Sequence, residues 1–332
     1  MIPATPGTAG RLRPDLSVLV HETMTGAAAF GFIASRVAPY FPVSAQAADF
    51  PVLPAKYAFN AEEVHRAPGA AYKRSGGQFE AGHYSCRERG HEHPLDARFR
   101  AIYSSIIDME AAGLNQCTNI VLRAYEIETA AKLQKPGNFL TGAASAKWSL
   151  PDDADPKADI KAAREIGRRK GVFYNTLIIA WPTYNNLCAC KKVQDAVYAI
   201  FPDARKTGTI DISHLETYLE IRIELAGALV NGSNRAKNPA LEDIWSDAVA
   251  TLACVAAEGS DIVEPSIART FKWNEGSSEE YVVEDYWDET VRATILRVRH
   301  DIDVRLLKSY DDDGNVLSDI SKNCGYVFTG IK

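Results

Sequence analysis

An α+β fold is predicted by three features of the sequence. Between Asp108 and Gln134 apolar residues recur every three or four positions over a length that fits one long helix, and Pro136-Gly137 stops it. On both sides the period drops to two, around Phe79, Ala81, Tyr84 and Cys86 and again at Thr294 to Val298. Between 155 and 255 the two patterns interleave, with helix starts such as Asp155-Pro156 followed by short apolar runs such as Asn175 to Trp181.

A chain of 332 residues that is 46% hydrophobic can bury a large core without disulfides or metals. Its formal charge of −6 and pI near 5.7 argue against a protein built to grip nucleic acid, because phosphate binding needs clustered Lys and Arg. Proteins are the expected partners. Cys86, Cys117, Cys188, Cys190, Cys254 and Cys324 show no framework spacing and are expected as reduced thiols in a cytoplasm. The apolar run Gly26 to Ala34 ends against Arg36, far short of the ~20 residues of a membrane span. Neither a secretory leader nor membrane contact is expected.

The first section, to about Gln46, is an arm with a Pro/Gly-rich lead, a possible helix after Pro14-Asp15, and an extended segment Ala38 to Val43 enforced by its prolines. From Asp49 to about Pro94 the chain is again extended, with Pro51, Pro54, Pro68 and Gly76-Gly77 breaking any helix. A ribbon with so few large aliphatics needs another surface to lie on. In the long helix, Met109, Gly113, Cys117, Ile120, Ala124, Ile127 and Ala131 form one apolar stripe, while Glu110, Asn119, Arg123 and Glu126 face elsewhere. At 1.5 Å per residue this helix spans ~40 Å and can serve as a strut. Beyond it come a helix from Asp155 to Gly171, the strand Asn175 to Trp181, and a helix from Pro182 containing Leu187, Val193 and Val197. A short helix follows with Ser213 and Glu216 as capping box, then strands at Ile221 to Leu225, Asp247 to Val255, Thr294 to Val298 and Gly325 to Thr329.

Chemical motifs are weak. His83, Cys86, His91 and His93 could ligate zinc, but they lack the paired short spacings of zinc sites, and surface or interface histidines are the expected outcome. Cys188-Ala-Cys190 is one residue too short for a redox motif. In Asp311-Asp312-Asp313-Gly314-Asn315 a calcium loop with Gly314 sixth would begin at Ser309 and close on Ile320, so hairpin turn chemistry is expected instead. The basic group Arg164, Arg168, Arg169 and Lys170 ends a helix, where cations suit the dipole. No nucleophile elbow, phosphate loop or dinucleotide fingerprint occurs. No catalytic residue, cofactor or metal is expected, and the chain is not expected to be an enzyme.

Three stretches carry a resemblance. Gly31-Phe32-Ile33-Ala34-Ser35-Arg36-Val37-Ala38-Pro39-Tyr40-Phe41-Pro42-Val43 with Phe50-Pro51-Val52 leads into the extended section. Tyr84-Ser85-Cys86-Arg87-Glu88, with Asp96 and Arg98, leads out of it. Asp155-Pro156 to Ala163, Asn175-Thr176-Leu177-Ile178-Ile179 and Pro182-Thr183-Tyr184 to Leu187 follow the long helix. In this order they resemble the major capsid proteins of tailed bacteriophages, which have the Hong Kong 97-type fold. The resemblance covers most of the chain and implies an N-terminal arm over 1–48 and an extended loop (E-loop) over 49–100. It further implies a peripheral domain with the spine helix over 101–150 and 263–332, and an axial α/β domain over 151–262.

The resemblance implies function by geometry. Subunits form hexamers and pentamers of an icosahedral head around double-stranded DNA, without sequence-specific binding, and the loop of one lies over its neighbour. Arm and loop are then covered by sister copies, with Phe30, Phe32, Ile33 and Tyr40 as arm contacts and Tyr57, Phe59, Phe79 and Tyr84 as loop contacts. Portal, scaffolding and possible decoration proteins are implied partners, the scaffolding protein separate because the arm is short. Localisation is the virion capsid, assembled in the host bacterial cytoplasm. Two alternatives stay open: an encapsulin-like cellular compartment, which shares the fold, and a zinc-dependent enzyme using His83, Cys86, His91 and His93.

Overall fold

The long helix of the computed structural model runs Met109–Leu133, with Asp108 as its N-cap accepting from the backbone N–H of Glu110 at 3.0 Å and Ala111 at 3.1 Å. The structure describes residues 11–13, 16, 19–20, 31–54, 59, 61, 64–66, 68–69, 71–72, 74, 79–103, 106–233, 240–273, 281–311 and 313–332. No helix among them is long and apolar enough to cross a membrane.

Two sheets flank this helix. The first has the order Arg11–Leu12, Val282–Asp288, Ala293–Arg305, Arg269–Trp273, Tyr40–Val43, and Arg87–Asp96 also pairs with Ala293–Arg305. Tyr40–Val43 runs parallel to Arg269–Trp273, with Phe41 opposite Phe271, which is the extended segment that the prolines enforce. The second has the order Leu140–Ala143, Gly325–Thr329, Val249–Ala253, Thr176–Ala180, Arg222–Ala226. Its outer pairs are parallel and its inner pairs antiparallel. The parallel step from Thr176–Ala180 to Arg222–Ala226 requires a crossover, which the helices Trp181–Ala189, Lys191–Ile200, Pro202–Thr207 and Ile212–Leu219 supply. Helices on its faces leave every residue of Thr176–Ala180 buried, which explains the uninterrupted apolar run there. Leu140–Ala143 and Gly325–Thr329 belong to this sheet, so the division by sequence at 151–262 does not coincide with the division by sheet.

The buried face of the long helix is rotated from the expected stripe. Gly113 and Cys117 are buried as predicted, but Ala124 and Ala131 face solvent, and the core is met by Leu114, Val121, Leu122, Tyr125, Ala130 and Leu133. The cause is Glu126, buried with these residues because three donors converge on its carboxylate. Below the helix, Leu114, Cys117, Val121 and Leu122 pack with Val283 and Val298 of the first sheet. Val20 of the arm is buried in the same cluster, and Leu16 and Leu19 lie against it. The described part of the arm is therefore held by its own chain, through this cluster and the pairing of Arg11 with Asp285 and Leu12 with Glu284. That corrects the expectation that sister copies alone hold the arm.

Other boundaries differ locally. Pro156–Arg169 keeps its expected cap, Asp155 accepting from Ala158 N at 3.1 Å. The helix predicted from Pro182 is two helices that break at Cys190. The capping box lies two residues before the predicted one, at Asp211 and His214, and Glu216 instead accepts from Ile223 N at 2.7 Å. Lys308–Tyr310 and Val316–Asp319 form the expected hairpin, with Gly314 at φ 81° in its turn. All six cysteines are free thiols.

Candidate assembly surfaces

The arm enters the body at a point where only glycine fits. Gly31 has φ 77°, and a Cβ on it would lie 2.5 Å from the backbone of Gly227, whose N–H donates to the Gly31 carbonyl at 3.1 Å. Two residues on, the N–H groups that open the short helix Ala34–Val37 find their acceptor in the long helix: Glu126 takes Ile33 N at 3.0 Å, Ala34 N at 2.9 Å and Trp245 Nε1 at 2.6 Å. Burial pushes this carboxyl up from the ordinary carboxylate range, and the three donors with Arg36 hold it back. Tyr125, one residue earlier, donates to the Ala38 carbonyl at 3.2 Å, so two adjacent side chains of one helix fasten both ends of the arm's root.

The loop is rooted on aromatic rings. Ala47–Val52 pairs antiparallel with Glu80–Ser85, and Phe50 and Tyr84 from these strands close on Phe271 at 4.9 and 4.6 Å between centroids, Tyr84 nearly parallel to it at 5°. Tyr84 and Cys86 share the buried face, whereas Phe79 and Ala81 point to the other, exposed one. Gly82 lies beneath Phe50: a Cβ there would meet the ring at 2.4 Å and the Lys308 carbonyl at 2.8 Å. Gly82→Ala is therefore expected to lower stability by about 2 kcal/mol through overpacking. A urea-unfolding midpoint equal to the native one would show that the loop root is not packed this way.

The expected contact residues divide sharply. Ile33 and Tyr84 are buried in the chain's own core, because the arm root and the loop root close over them, so neither is free for a neighbour. Tyr40 is half-buried, stacked on Tyr125 at 5.9 Å with the Lys272 ammonium 5.2 Å above its ring, and Phe32 is half-buried beside the Arg123 guanidinium. Phe59 is 65% and Phe79 60% exposed, although the Phe59 ring also lies against Gly171 after the helix Pro156–Arg169. Phe30 and Tyr57 lie outside the described residues.

The suspected zinc ligands do not converge. His83 faces Asp49 at 3.0 Å, the buried Cys86 thiol donates to the Phe271 carbonyl at 3.6 Å, and the His93 ring rests on Gly113 of the long helix. Burial, with Asp303 beside it, pushes the Cys86 thiol up to about 12, so it stays protonated rather than serving as a thiolate ligand. Among the described residues no three His, Cys, Asp or Glu side chains form a metal-binding group.

One groove of about 1110 Å3 opens between the arm root, the long helix and the strand Arg222–Ala226, lined by Phe32, Ile120, Trp181 and Leu225. Of its charged groups, Arg36 pairs with Glu224 at 3.0 Å, and Arg123 donates to the Leu229 backbone carbonyl at 2.9 Å. Among the described residues no His, Ser or Cys lines it, so none of them supplies a nucleophile and base in reach of each other there.

No protein-family profile and no curated protein sequence matches the chain. Solved structures do. A phage-related protein from Bordetella bronchiseptica RB50 is 22% identical over 97% of this chain and 98% of its own, with a TM-score of 0.67. A prophage protein of E. coli CFT073 assigned to the capsid is 11% identical over 96% and 99%, with a TM-score of 0.54. The fold is that of the phage capsid proteins. A virus-like particle from Pyrococcus furiosus shares it at 8% identity over 94% and 98%, with a TM-score of 0.54. Sequence reading missed Glu126 and Trp245, because a Glu on an amphipathic helix is priced as a solvent-facing residue and only the folded chain brings the three donors to it.

Proposed function

We propose that the chain is a major capsid protein, a structural subunit that self-assembles into the hexamers and pentamers of an icosahedral phage head around double-stranded DNA. The observation that carries this reading is the end-to-end likeness to a phage-related protein, over 97% of this chain and 98% of that one rather than one module. Exposed Phe59 and Phe79 support it, since aromatic side chains left this open gain most from a neighbour's surface. Portal, scaffolding and decoration proteins are the partners of such a subunit, which assembles in the host bacterial cytoplasm and ends in the virion capsid.

A second reading, a shell other than a phage head such as an encapsulin-like compartment, is supported by one observation, the fold shared with a virus-like particle from Pyrococcus furiosus. The arm phrase Phe32-Ile33-Ala34 to Pro42-Val43, resembling phage arms, argues for the head. Negative-stain microscopy of the purified full chain tests the shell: polyhedral particles or rings of subunits are expected, and a monodisperse monomer at millimolar concentration would end the case. Nucleic acid inside particles isolated from the native source separates a head from a compartment filled with protein.

A further inference from the structure

We propose that the cationic face of helix Pro156–Arg169 is a binding surface for the phosphate backbone of duplex DNA, whatever its base sequence. The proposal rests on the shell reading for its setting, while its physical argument is separate. Residues 157–170 hold six cations against two carboxylates, in a chain whose net charge is −6. Lys157, Lys161, Arg164 and Arg168 follow one another at steps of four, three and four, so they form one row along the helix, and Asp159 and Glu165 fall outside it. Lys161, Arg164 and Arg168 are exposed and Lys157 is half-buried.

Local structure leaves much of this charge unmatched. Asp159 is turned into the fold, accepting from Ser145 N at 3.1 Å and Trp148 Nε1 at 3.0 Å. Glu165 is shared by Arg168 at 2.7 Å and Arg169 at 3.0 Å. Among the described residues no carboxylate pairs with Lys157, Lys161 or Arg164: the Lys157 ammonium lies 4.4 Å from the centre of the Tyr218 ring, and Arg164 donates to the Glu220 backbone carbonyl at 3.5 Å. The helix dipole accounts for Arg168 and Arg169 in the last turn, but Lys157 stands in the first, where the positive pole disfavours a cation. At 1.5 Å per residue the row is ~16 Å long, a length over which one strand of a duplex carries about five phosphates. Ile160 and Ala163 of the same helix are buried against the body, so the row has no open apolar centre of the kind around which an interface with protein is built. A phosphate backbone is therefore favoured over an acidic protein as the occupant.

Fluorescence anisotropy of a labelled random-sequence duplex of about 30 base pairs, titrated with the full chain from about 50 to about 200 mM NaCl, tests this. Binding is expected at low salt and should weaken on a log–log slope of about −3, each unpaired cation releasing about one counterion. Lys161→Ala with Arg164→Ala is expected to cut the affinity about tenfold or more and to flatten the slope by about 2, with thermal unfolding unchanged because both side chains are exposed. Lys135→Ala with Lys322→Ala removes the same charge from exposed positions elsewhere and is expected to bind as the native chain does. No binding at low salt, or equal losses in the two double variants, overturns the surface, and particles seen by microscopy beside either result leave the shell reading standing. Binding that only the first double variant weakens, in a chain that forms no particles, keeps the surface and overturns the shell reading.

Discussion

Glu126→Ala is expected to lower the stability of the subunit by about 4 kcal/mol and to release the arm root. The carboxylate is buried and meets only donors: two backbone N–H groups at the start of Ala34–Val37 and the indole of Trp245. Truncation leaves all three buried without a partner, at about 1 to 3 kcal/mol each, and the cavity adds to this while entry of water relieves part. Ion pairing is not the source of the loss, since Arg36 is held by Glu224 in any case. Glu126→Gln keeps the shape but turns an N–H2 toward a donor, so about half the loss is expected. Urea unfolding measures both, and trypsin at Arg36, already partly exposed, reports the arm directly. A Glu126→Ala protein within 1 kcal/mol of native, cut at Arg36 no faster, would show that the arm root is held by packing alone.

The limits of sequence reading show at particular residues. Helix ends were legible where one side chain makes the cap: Asp108 and Asp155 each accept the N–H groups that a helix leaves free. Ser213 and Glu216 matched the pattern equally well, yet the cap fell on Asp211 with His214, because Glu216 is drawn off to the strand at Ile223. In the loop, the interval from Ala81 to Tyr84 is odd, so on a strand of period two Phe79 and Ala81 fall on one face and Tyr84 and Cys86 on the other. The rotation of the long helix has the same character as the missed Glu126. Periodicity gives the existence of an apolar stripe, but a polar side chain satisfied by distant partners shifts which residues line it. Among the expected contacts, Ile33 and Tyr84 were chosen for apolar character, which marks the core as strongly as it marks an interface.

Acid is expected to destabilise the subunit through His300, the second large effect. This imidazole lies 2% exposed between the first sheet and the long helix, stacked on Tyr281 at 4.8 Å and meeting Tyr125 edge-on at 6.5 Å, and neither ring nitrogen has a hydrogen-bond partner among the described residues. Burial pushes its pKa down to about 3, Arg89 and Lys272 push the same way, and Glu128 opposes them. Below pH 6.5 the unfolded chain takes a proton here that the folded chain refuses, so stability drops as the pH falls from about 6.5 toward about 3, where the folded form is protonated too. The slope is worth about 2 kcal/mol by pH 5 and on the order of 4 kcal/mol across the window. His300→Phe keeps a ring on Tyr281 and removes both unpartnered nitrogens, so it is expected to equal or exceed the native protein at pH 7.5 and to hold an advantage of about 2 kcal/mol or more at pH 5. Urea unfolding at the two pH values supplies the comparison. Equal losses for native protein and variant between pH 7.5 and 5 would place the acid sensitivity in other groups and refute the assignment to His300.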